Sequence, residues 1–292
     1  MNRWGMILLL AVASWSIQAW SAEELQWTGC GITKTAFMSE LAQAFEQKTG
    51  QKIVLTGGGA ARGIRAVAAS SAHLGGTCRA RLQDATHSIL PEEQNARLIQ
   101  VAWDALVVIV HPSNPVNNIS LDNLKKIYLG EIDSWDTLGG EAKKIALIDR
   151  EGKESGVGNM FRRLVFNDPN FDYRARSLKV KSSNPVEQKV ESFSTAMAID
   201  GVSSARKLGV KILELDGVAP TRDNIRTARY ALYRPLYMVV NRQKISPQTQ
   251  AFIDYALSDA GQEIIAAQGV VNLKDGDDLA KIWHSRFGDQ EP

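Results

Sequence analysis

Short apolar segments alternate along the chain with glycine-bearing turns and with segments whose apolar residues recur every three or four positions. The first short segment is Leu25 to Trp27, and beyond a polar turn Phe37, Leu41 and Phe45 lie four residues apart. That spacing puts one apolar face on a helix from Lys34 to Thr49. The pattern therefore predicts a strand, a tight turn and an amphipathic helix.

The same order of strand, turn and helix recurs in the next stretch. Lys52 to Leu55 has a strand pattern that runs into the glycine-rich turn Gly57 to Gly63, and His73 to Arg79 is a short strand that ends in a polar turn. Successive units of this kind predict an α/β fold with a doubly wound parallel sheet, whose ligands bind at the carboxyl ends of the strands. We predict Thr33 as the N-cap of the first helix and Gly50 as its end.

In the rest of the chain, two strand patterns indicate that the chain passes from a first lobe to a second lobe and then returns. Ala105 to Val110 is a continuous apolar run, typical of a strand buried on both faces, and prolines follow it. Ile145 to Ile148 is a further strand, followed by Arg150 and by Ser155 as the N-cap of another helix. Tyr233 to Val240 has the pattern of a returning strand.

Two crossings predict two lobes, each a mainly parallel sheet flanked by helices, joined by two hinge strands. We expect lobe I to comprise residues 23–107 and 233–292, with a mostly helical tail from Ser246 to Phe287, and lobe II to comprise residues 108–232. A small ligand would bind in the cleft and the lobes would close around it.

The amino terminus has the pattern of an export signal. Arg3 supplies a positive start, Met6 to Ala13 is apolar, and Ala19 and Ser21 are small residues of the kind that a signal peptidase recognises. The apolar run is far shorter than the roughly 20 residues that a membrane-spanning helix needs. We therefore expect residues 1–22 to be a cleavable signal peptide and the protein to be periplasmic.

Composition narrows the classes of function. The 34 Lys and Arg nearly balance the 32 Asp and Glu, which argues against a nucleic-acid partner, since that would require a basic stripe. Ser155 has no histidine placed as its base, so an enzyme is not expected. No cofactor motif is present, and we expect a monomer.

Six segments, in order, resemble the PstS-type periplasmic phosphate-binding proteins of ABC importers. Thr28 to Thr33 is similar to that family's Thr-Gly-Ala-Gly-Ala-Thr turn, and Gly57 to Gly63 is similar to its Gly-Ser-Ser-Gly-Gly turn. His73 to Cys78 is similar to its Asp-Phe-Gly-Ala-Ser-Asp strand end. Arg150 with Ser155 and Gly156 is similar to the family's Arg…Ser-Gly-Thr loop. Leu124 to Trp135 is similar to a segment of its second lobe, and Tyr233 to Tyr237 is similar to its returning strand. The resemblance implies a type II periplasmic-binding fold.

The resemblance also implies an anion site. Thr33 would bind through its hydroxyl and N–H, Lys34 through its backbone N–H, and Arg150 through its guanidinium. Ser155 and Gly156 would donate from a helix start. The implied function is capture of a small phosphate-like oxyanion for an ABC importer, with the permease as partner.

Three positions depart from the family pattern. Ala60 matches the family's ligand serine, Cys78 its acceptor aspartate, and Val157 the threonine after Ser-Gly. Each missing hydrogen bond to a buried ligand costs about 1–3 kcal/mol. We therefore expect these residues to line the site and to weaken its affinity for phosphate.

The chain has two cysteines, Cys30 and Cys78, and in an exported protein this predicts a disulfide. The resemblance places both in turns that border the cleft, so the alternative is a pair of thiols that face a thiophilic ligand. Arsenite would then be sensed and signalled to the periplasmic domain of a membrane histidine kinase. Cu(I) is a weaker candidate, with His73 as a possible third metal ligand.

Overall fold

Residues 24–288 are described by the computed structural model, and they contain a nine-stranded mixed sheet flanked by helices. The predicted signal peptide, residues 1–22, lies outside the described residues. No helix between residues 24 and 288 has the length and apolar character that crossing a bilayer requires. The strands are β1 Leu25–Gly29, β2 Ile53–Gly57, β3 Leu74–Thr77, β4 Ala96–Val110, β5 Asn118–Ile119, β6 Ala146–Arg150, β7 Leu178–Val180, β8 Ala196–Gly201, β9 Lys211–Ile212, β10 Glu214–Leu215 and β11 Tyr233–Asn241.

Helices connect most of these strands. They are α1 Gly31–Thr33, α2 Ser39–Thr49, α3 Ala60–Ala68, α4 Leu121–Leu129, α5 Gly156–Phe161, α6 Ser183–Ser192, α7 Val202–Ala205, α8 Arg222–Arg226, α9 Pro247–Leu257, α10 Asp259–Ala267 and α11 Asp277–Phe287. A π-helical turn, Lys34–Met38, joins α1 to α2, and a second, Arg162–Phe166, extends α5. Short 3-10 turns cover Pro91–Glu93 and Trp135–Leu138.

The order of the strands divides the sheet into two parallel ends and an antiparallel centre. The order is β2-β1-β3-β11-β4-β8-β6-β7, with β9 also paired to β4 and with β5 and β10 in a separate small sheet. β2, β1 and β3 are parallel, as are β8, β6 and β7. The α/β fold is confirmed, and the predicted parallel pairing holds at the two ends.

Strand β4 runs through both halves of the sheet. Its residues 96–105 pair with β11, and its residues 106–110 pair with β8, both antiparallel. At the change of partner, the Leu106 N–H donates to the Leu232 carbonyl, 2.8 Å away. This is the arrangement expected of hinge strands, while the division into lobes at residues 107 and 232 stays a prediction.

The carboxyl-terminal helices α9 and α11 pack on α2, β4 and β11. Phe252 of α9 contacts Phe45 of α2 edge-on, with ring centroids 5.1 Å apart. Trp283 of α11 lies 5.9 Å from Trp103 of β4 and 5.9 Å from Tyr233 of β11. The aromatic side chains thus tie the tail to both crossing strands.

Glycines allow α3 to lie directly on the backbone of β1 and β3. A Cβ on Gly63 would lie 2.8 Å from the Cα of Gly29 and 2.8 Å from the carbonyl oxygen of Gly76, so no side chain fits there. This close approach sets the amino end of α3 beside the ends of β1 and β3. The turns that follow these strands are therefore brought together.

One predicted helix start is wrong. Cys30, with an extended backbone (φ −62°, ψ 130°), is the N-cap, and Thr33 lies inside the first turn. The reason is that the Lys34 N–H donates to the Cys30 carbonyl at 3.1 Å, so the helix begins earlier than its apolar pattern. Two other predicted boundaries are confirmed: Gly50 ends α2 in the left-handed conformation, and Ser155 caps α5 by accepting from the Gly158 N–H at 3.0 Å.

Candidate functional site

A cavity of about 520 Å³ lies where the carboxyl ends of β1, β2 and β6 meet the starts of helices. Its walls come from four helical segments, which begin at Gly31, Ala60, Gly156 and Ser183. Backbone N–H groups at a helix start lack partners within the helix, and the helix dipole is positive there. Four helix starts around one cavity make a site for an anion.

Arg150 supplies a fixed positive charge to this cavity. Its side chain is buried, its Nη1 donates to Ser183 Oγ at 2.8 Å, and its Nη2 donates to the Lys181 carbonyl at 2.8 Å. Its Nε is buried and has no hydrogen-bond partner within residues 24–288. Because a guanidinium stays charged in proteins, Arg150 presents a charge and an unused donor.

Ser183 is a site residue that sequence reasoning missed. It begins α6, lines the cavity and is almost fully buried. Ser182, Ser183 and Asn184, followed by Pro185, form the pattern typical of a helix start, and this signal could have revealed a fourth helix start at the site.

Two predicted donors are placed differently from expectation. The Lys34 N–H is bonded to Cys30 within the helix, so it is not available to a ligand; Lys34 lines the cavity through its side chain, whose Nζ donates to the Leu55 carbonyl at 3.1 Å. Thr33 is fully buried and is not among the residues that line the cavity. Its Oγ1 has no hydrogen-bond partner among the described residues.

Ala60, Cys78 and Gly156 lie where the two halves of the chain touch. Ala60 and Val157 present aliphatic side chains to the cavity. A Cβ on Gly156 would clash with the Cys78 Sγ and would lie 3.0 Å from the Cβ of Ala60. Gly156 is therefore required by this contact, and Cys78 lies behind it rather than on the cavity wall. Ser155 holds α5 in place through its cap.

The two cysteines are brought together, but as free thiols. Their Sγ atoms are 3.2 Å apart, and both residues are buried. A disulfide requires about 2.05 Å, so the predicted bond is not formed in this structure. The hydrogen bond between the two thiols, in which either sulfur atom can be the donor, lowers the pKa of Cys30 to about 6; burial opposes this shift, and Arg234 and Arg150 assist it.

The charge beside the cysteines comes from the crossing strands. Arg234 of β11 and Asp104 of β4 are completely buried and form an ion pair of 3.2 Å. The Nε and Nη1 atoms of Arg234 have no hydrogen-bond partner in the described part of the chain. Sequence reasoning missed this pair, although a charged residue inside each of two apolar strands is a signal of it.

His73 does not join the cysteines. Its Nδ1 accepts from the Gln26 N–H at 2.9 Å, at the amino end of β3. No group of three or more His, Cys, Asp or Glu in residues 24–288 is placed to hold a metal ion. His73 is therefore not placed as a third metal ligand, because it precedes the amino end of β3, whereas Cys30 and Cys78 follow the carboxyl ends of β1 and β3.

Comparison with known proteins identifies the family. The family described as "PBP superfamily domain" matches residues 24–260. A phosphate-binding protein PstS from Borreliella burgdorferi is 30% identical over 189 residues, which are 62% of this chain and 68% of that protein. The chain is a PstS-type periplasmic binding protein. A PstS protein from Bacillus subtilis is 29% identical over 177 residues, which cover 60% of this chain and 57% of that relative.

Solved structures agree with this family. An ABC-type phosphate transport receptor from Vibrio cholerae is 25% identical, with a TM-score of 0.63 over 85% of this chain and 99% of that chain. A protein from Clostridium perfringens, assigned as a phosphate ABC transporter substrate-binding protein, shares the fold with a TM-score of 0.75, 24% identity and the same coverage. The family is one of binding proteins. None of these comparisons supports the arsenite-sensing alternative.

Proposed function

We propose that this PstS-type protein captures a small oxyanion of the phosphate class in the cavity and delivers it to the permease of an ABC importer. The relatives, a phosphate-binding protein and a phosphate transport receptor, support phosphate as the reference ligand. The site supports an anion independently, because its walls combine helix starts with a buried guanidinium.

The observation that carries the proposal is the state of Arg150. It is held by Ser183 and Lys181, it lines the cavity, and its buried Nε lacks a partner in the described chain. An unsatisfied buried charged donor is costly. An anion in the cavity would balance the charge of Arg150, so ligand binding offsets part of the cost of burying that charge.

The aliphatic side chains of Ala60 and Val157 set a limit on affinity. They line the cavity where hydroxyl groups would donate to an oxyanion. Because backbone N–H groups remain at the helix starts, anion binding is retained, but with fewer hydrogen bonds. We expect a lower affinity for phosphate than a complete set of donors would give.

The proposed mechanism is closure of two lobes around the ligand, with residues 23–107 and 233–292 on one side and residues 108–232 on the other. The closed form is then recognised by the permease. We propose no enzymatic activity, because the Ser155 hydroxyl caps α5 instead of facing a base. We further propose that the protein acts as a monomer in the periplasm.

Titration calorimetry tests the proposal. The chain from residue 23 onward, kept in a thiol reductant, is titrated with phosphate, arsenate, sulfate and molybdate. We expect phosphate binding in the wild type and a loss of about 10–100-fold or more in Arg150→Ala, since each hydrogen bond to a charged group contributes about 1.5–3 kcal/mol. The exposed Arg229→Ala is the matched control and should bind like the wild type.

Two results would contradict the proposal. One is the absence of binding for every oxyanion, with and without the reductant, by wild-type protein that unfolds cooperatively. The other is equal phosphate affinity in the wild type and in Arg150→Ala. Thermal unfolding of each variant checks that a loss of binding is not a loss of fold.

A further inference from the structure

The cysteine pair lies across two neighbouring strands of the sheet. Cys30 follows β1 and Cys78 follows β3, and these strands are parallel, with Gly29 in register with Gly76. The Cys30 N–H donates to the Gly76 carbonyl at 2.9 Å, which fixes the two turns side by side. The Sγ atoms, 3.2 Å apart, are thus held by the sheet and need only a small movement to bond.

The surroundings of the pair favour a thiolate. The positive charges of Arg234 on β11 and Arg150 on β6 both lower the pKa of Cys30. The carboxylate of Asp104 on β4 pairs with one nitrogen of Arg234. The other two guanidinium nitrogens have no hydrogen-bond partners in the described residues. Thiolates at helix starts and beside arginine are the reactive form of cysteine.

The two thiols differ in access. Cys30 lines the cavity, whereas Cys78 is fully buried behind Gly156 and is not on the cavity wall. A small reagent that enters the cavity therefore meets Cys30 first. The hydrogen bond between the two thiols lowers the pKa of Cys30 to about 6 and raises the pKa of Cys78, which burial raises further. Cys30 is thus the attacking thiol and Cys78 the resolving thiol.

We propose that Cys30 and Cys78 form a reversible dithiol–disulfide switch that sets the affinity of the cavity for its oxyanion, an inference that rests on the proposed function. The oxidant is a small disulfide. The Cys30 thiolate attacks one of its sulfur atoms, forms a mixed disulfide and releases one thiolate. Cys78 then loses its proton, attacks the Cys30 sulfur and releases the second thiolate. The pair loses two electrons, and the reagent gains them as two thiols.

The direction of the effect follows from charge. In the reduced protein, the Cys30 thiolate already occupies the positive field of Arg234, Arg150 and the first helix start, and it repels an incoming anion. The disulfide is neutral, so the same field becomes available to the ligand. The oxidised protein should therefore bind oxyanions more tightly. An oxidising compartment would keep it in that state.

The first measurement follows the thiols alone. Reduced protein is incubated with 2-hydroxyethyl disulfide, and the intact mass and the thiol content after unfolding are recorded. We expect the wild type to lose both thiols without retaining the reagent, and to regain them with dithiothreitol. Cys78→Ser should stop at the mixed disulfide, and Cys30→Ser should not react. A wild type that keeps its thiols, or a Cys30→Ser variant that reacts faster than Cys78→Ser, overturns the proposal.

The second measurement compares phosphate affinity in the two redox states by calorimetry at about pH 8, where the Cys30 thiol is ionised. We expect the oxidised wild type to bind at least about tenfold more tightly than the reduced protein. Cys30→Ser should bind equally under both conditions, because neither the thiolate nor the disulfide exists. Equal affinities in the wild type, or tighter binding when reduced, overturn the switch. Absence of phosphate binding in both states overturns the proposed function and the affinity effect, while thiol exchange is decided by the first measurement.

Discussion

The guanidinium of Arg150 and the hydroxyl of Ser183 are joined by a 2.8 Å hydrogen bond that links the end of β6 to the start of α6. Both side chains are buried beside the anion cavity. The bond fixes the orientation of the charge, and it positions the first turn of α6 against the same ligand space. Ser183 is thus a positioning residue for Arg150 as well as part of the cavity wall.

Replacing Ser183 with Ala tests this role. The variant loses one hydrogen bond to a charged group, so we expect phosphate affinity to fall about 3–10-fold, corresponding to about 0.7–1.4 kcal/mol. Calorimetry measures the change. Ser192→Ala, at the other end of α6, is the matched control, since its Oγ donates only to the exposed Gln188 carbonyl. Unchanged affinity in Ser183→Ala, or an equal loss in the control, would show that the bond does not position Arg150.

A pair of glycines in register offers a second test, on stability. Gly29 of β1 pairs with Gly57 of β2. A Cβ on Gly29 would lie 2.6 Å from the nitrogen and 2.9 Å from the Cα of Gly76, whereas a Cβ on Gly57 meets nothing within 4 Å. We expect Gly29→Ala to lower the free energy of unfolding by about 1–3 kcal/mol, because the clashing atoms are backbone.

Gly57→Ala should change that free energy by no more than about 0.5 kcal/mol. Urea denaturation without ligand measures both variants. If the two glycine variants proved equally stable, the contact between β1 and β3 that brings the turns of Cys30 and Cys78 together would be looser than the structure has it.

Local patterns in the sequence predicted the elements of this fold, because apolar spacing and capping residues act within a few positions. The presence of β1 and β6, Gly50 as a helix stop and Ser155 as a cap follow from such signals, although both strands extend two residues beyond their predicted ends. The resemblance added Arg150 as a cavity residue. The cap at Thr33 was wrong, because the first turn of that helix is set by a hydrogen bond to Cys30 and not by its apolar face.

Long-range pairings could not be predicted in the same way. The antiparallel centre of the sheet depends on residues 96–105 meeting residues 233–241, and no local pattern specifies that pairing. The same pairing brings Arg234 beside Asp104, and the contact of Gly156 with Cys78 decides which thiol reaches the cavity. These features depend on how distant segments pack, and no local sequence signal determines that packing.

The buried ion pair between Arg234 and Asp104 leads to a third prediction. Asp104 also accepts from the Ser203 N–H at 3.2 Å. Asp104→Ala leaves the Arg234 charge buried without its partner, so we expect a loss of about 3–5 kcal/mol in the free energy of unfolding. Denaturant titration measures it.

The exposed ion pair of Lys126 and Asp122, four residues apart on α4, is the control. Asp122→Ala should cost no more than about 0.5 kcal/mol, since solvent screens exposed pairs. If Asp104→Ala lowered the free energy of unfolding as little as the control does, water or another group would have to compensate the buried charge of Arg234.

Asp200 of β8 provides a prediction about pH. It is 1% exposed, and burial, followed by the negative charge of Glu187, raises its pKa well above the usual range. Arg234 and the Gly201 N–H oppose this shift, and Ser204 Oγ donates to Glu187 at 3.0 Å. A folded-state pKa above the unfolded value means that the folded protein binds the extra proton.

The contribution of Asp200 to stability is therefore complete below its unfolded pKa of about 3.9 and is lost as pH rises through its folded pKa. Asp200→Asn keeps the neutral form at every pH. We expect it to raise the melting temperature relative to the wild type, with a larger gain at about pH 8 than at about pH 5. Differential scanning calorimetry at both pH values measures the gain, and Glu263→Gln, an exposed carboxyl on α10, should show no such difference. A change in melting temperature that is the same at both pH values would mean that Asp200 is already ionised in the folded protein at pH 5, and a loss at both pH values would mean that Arg234 stabilises its carboxylate.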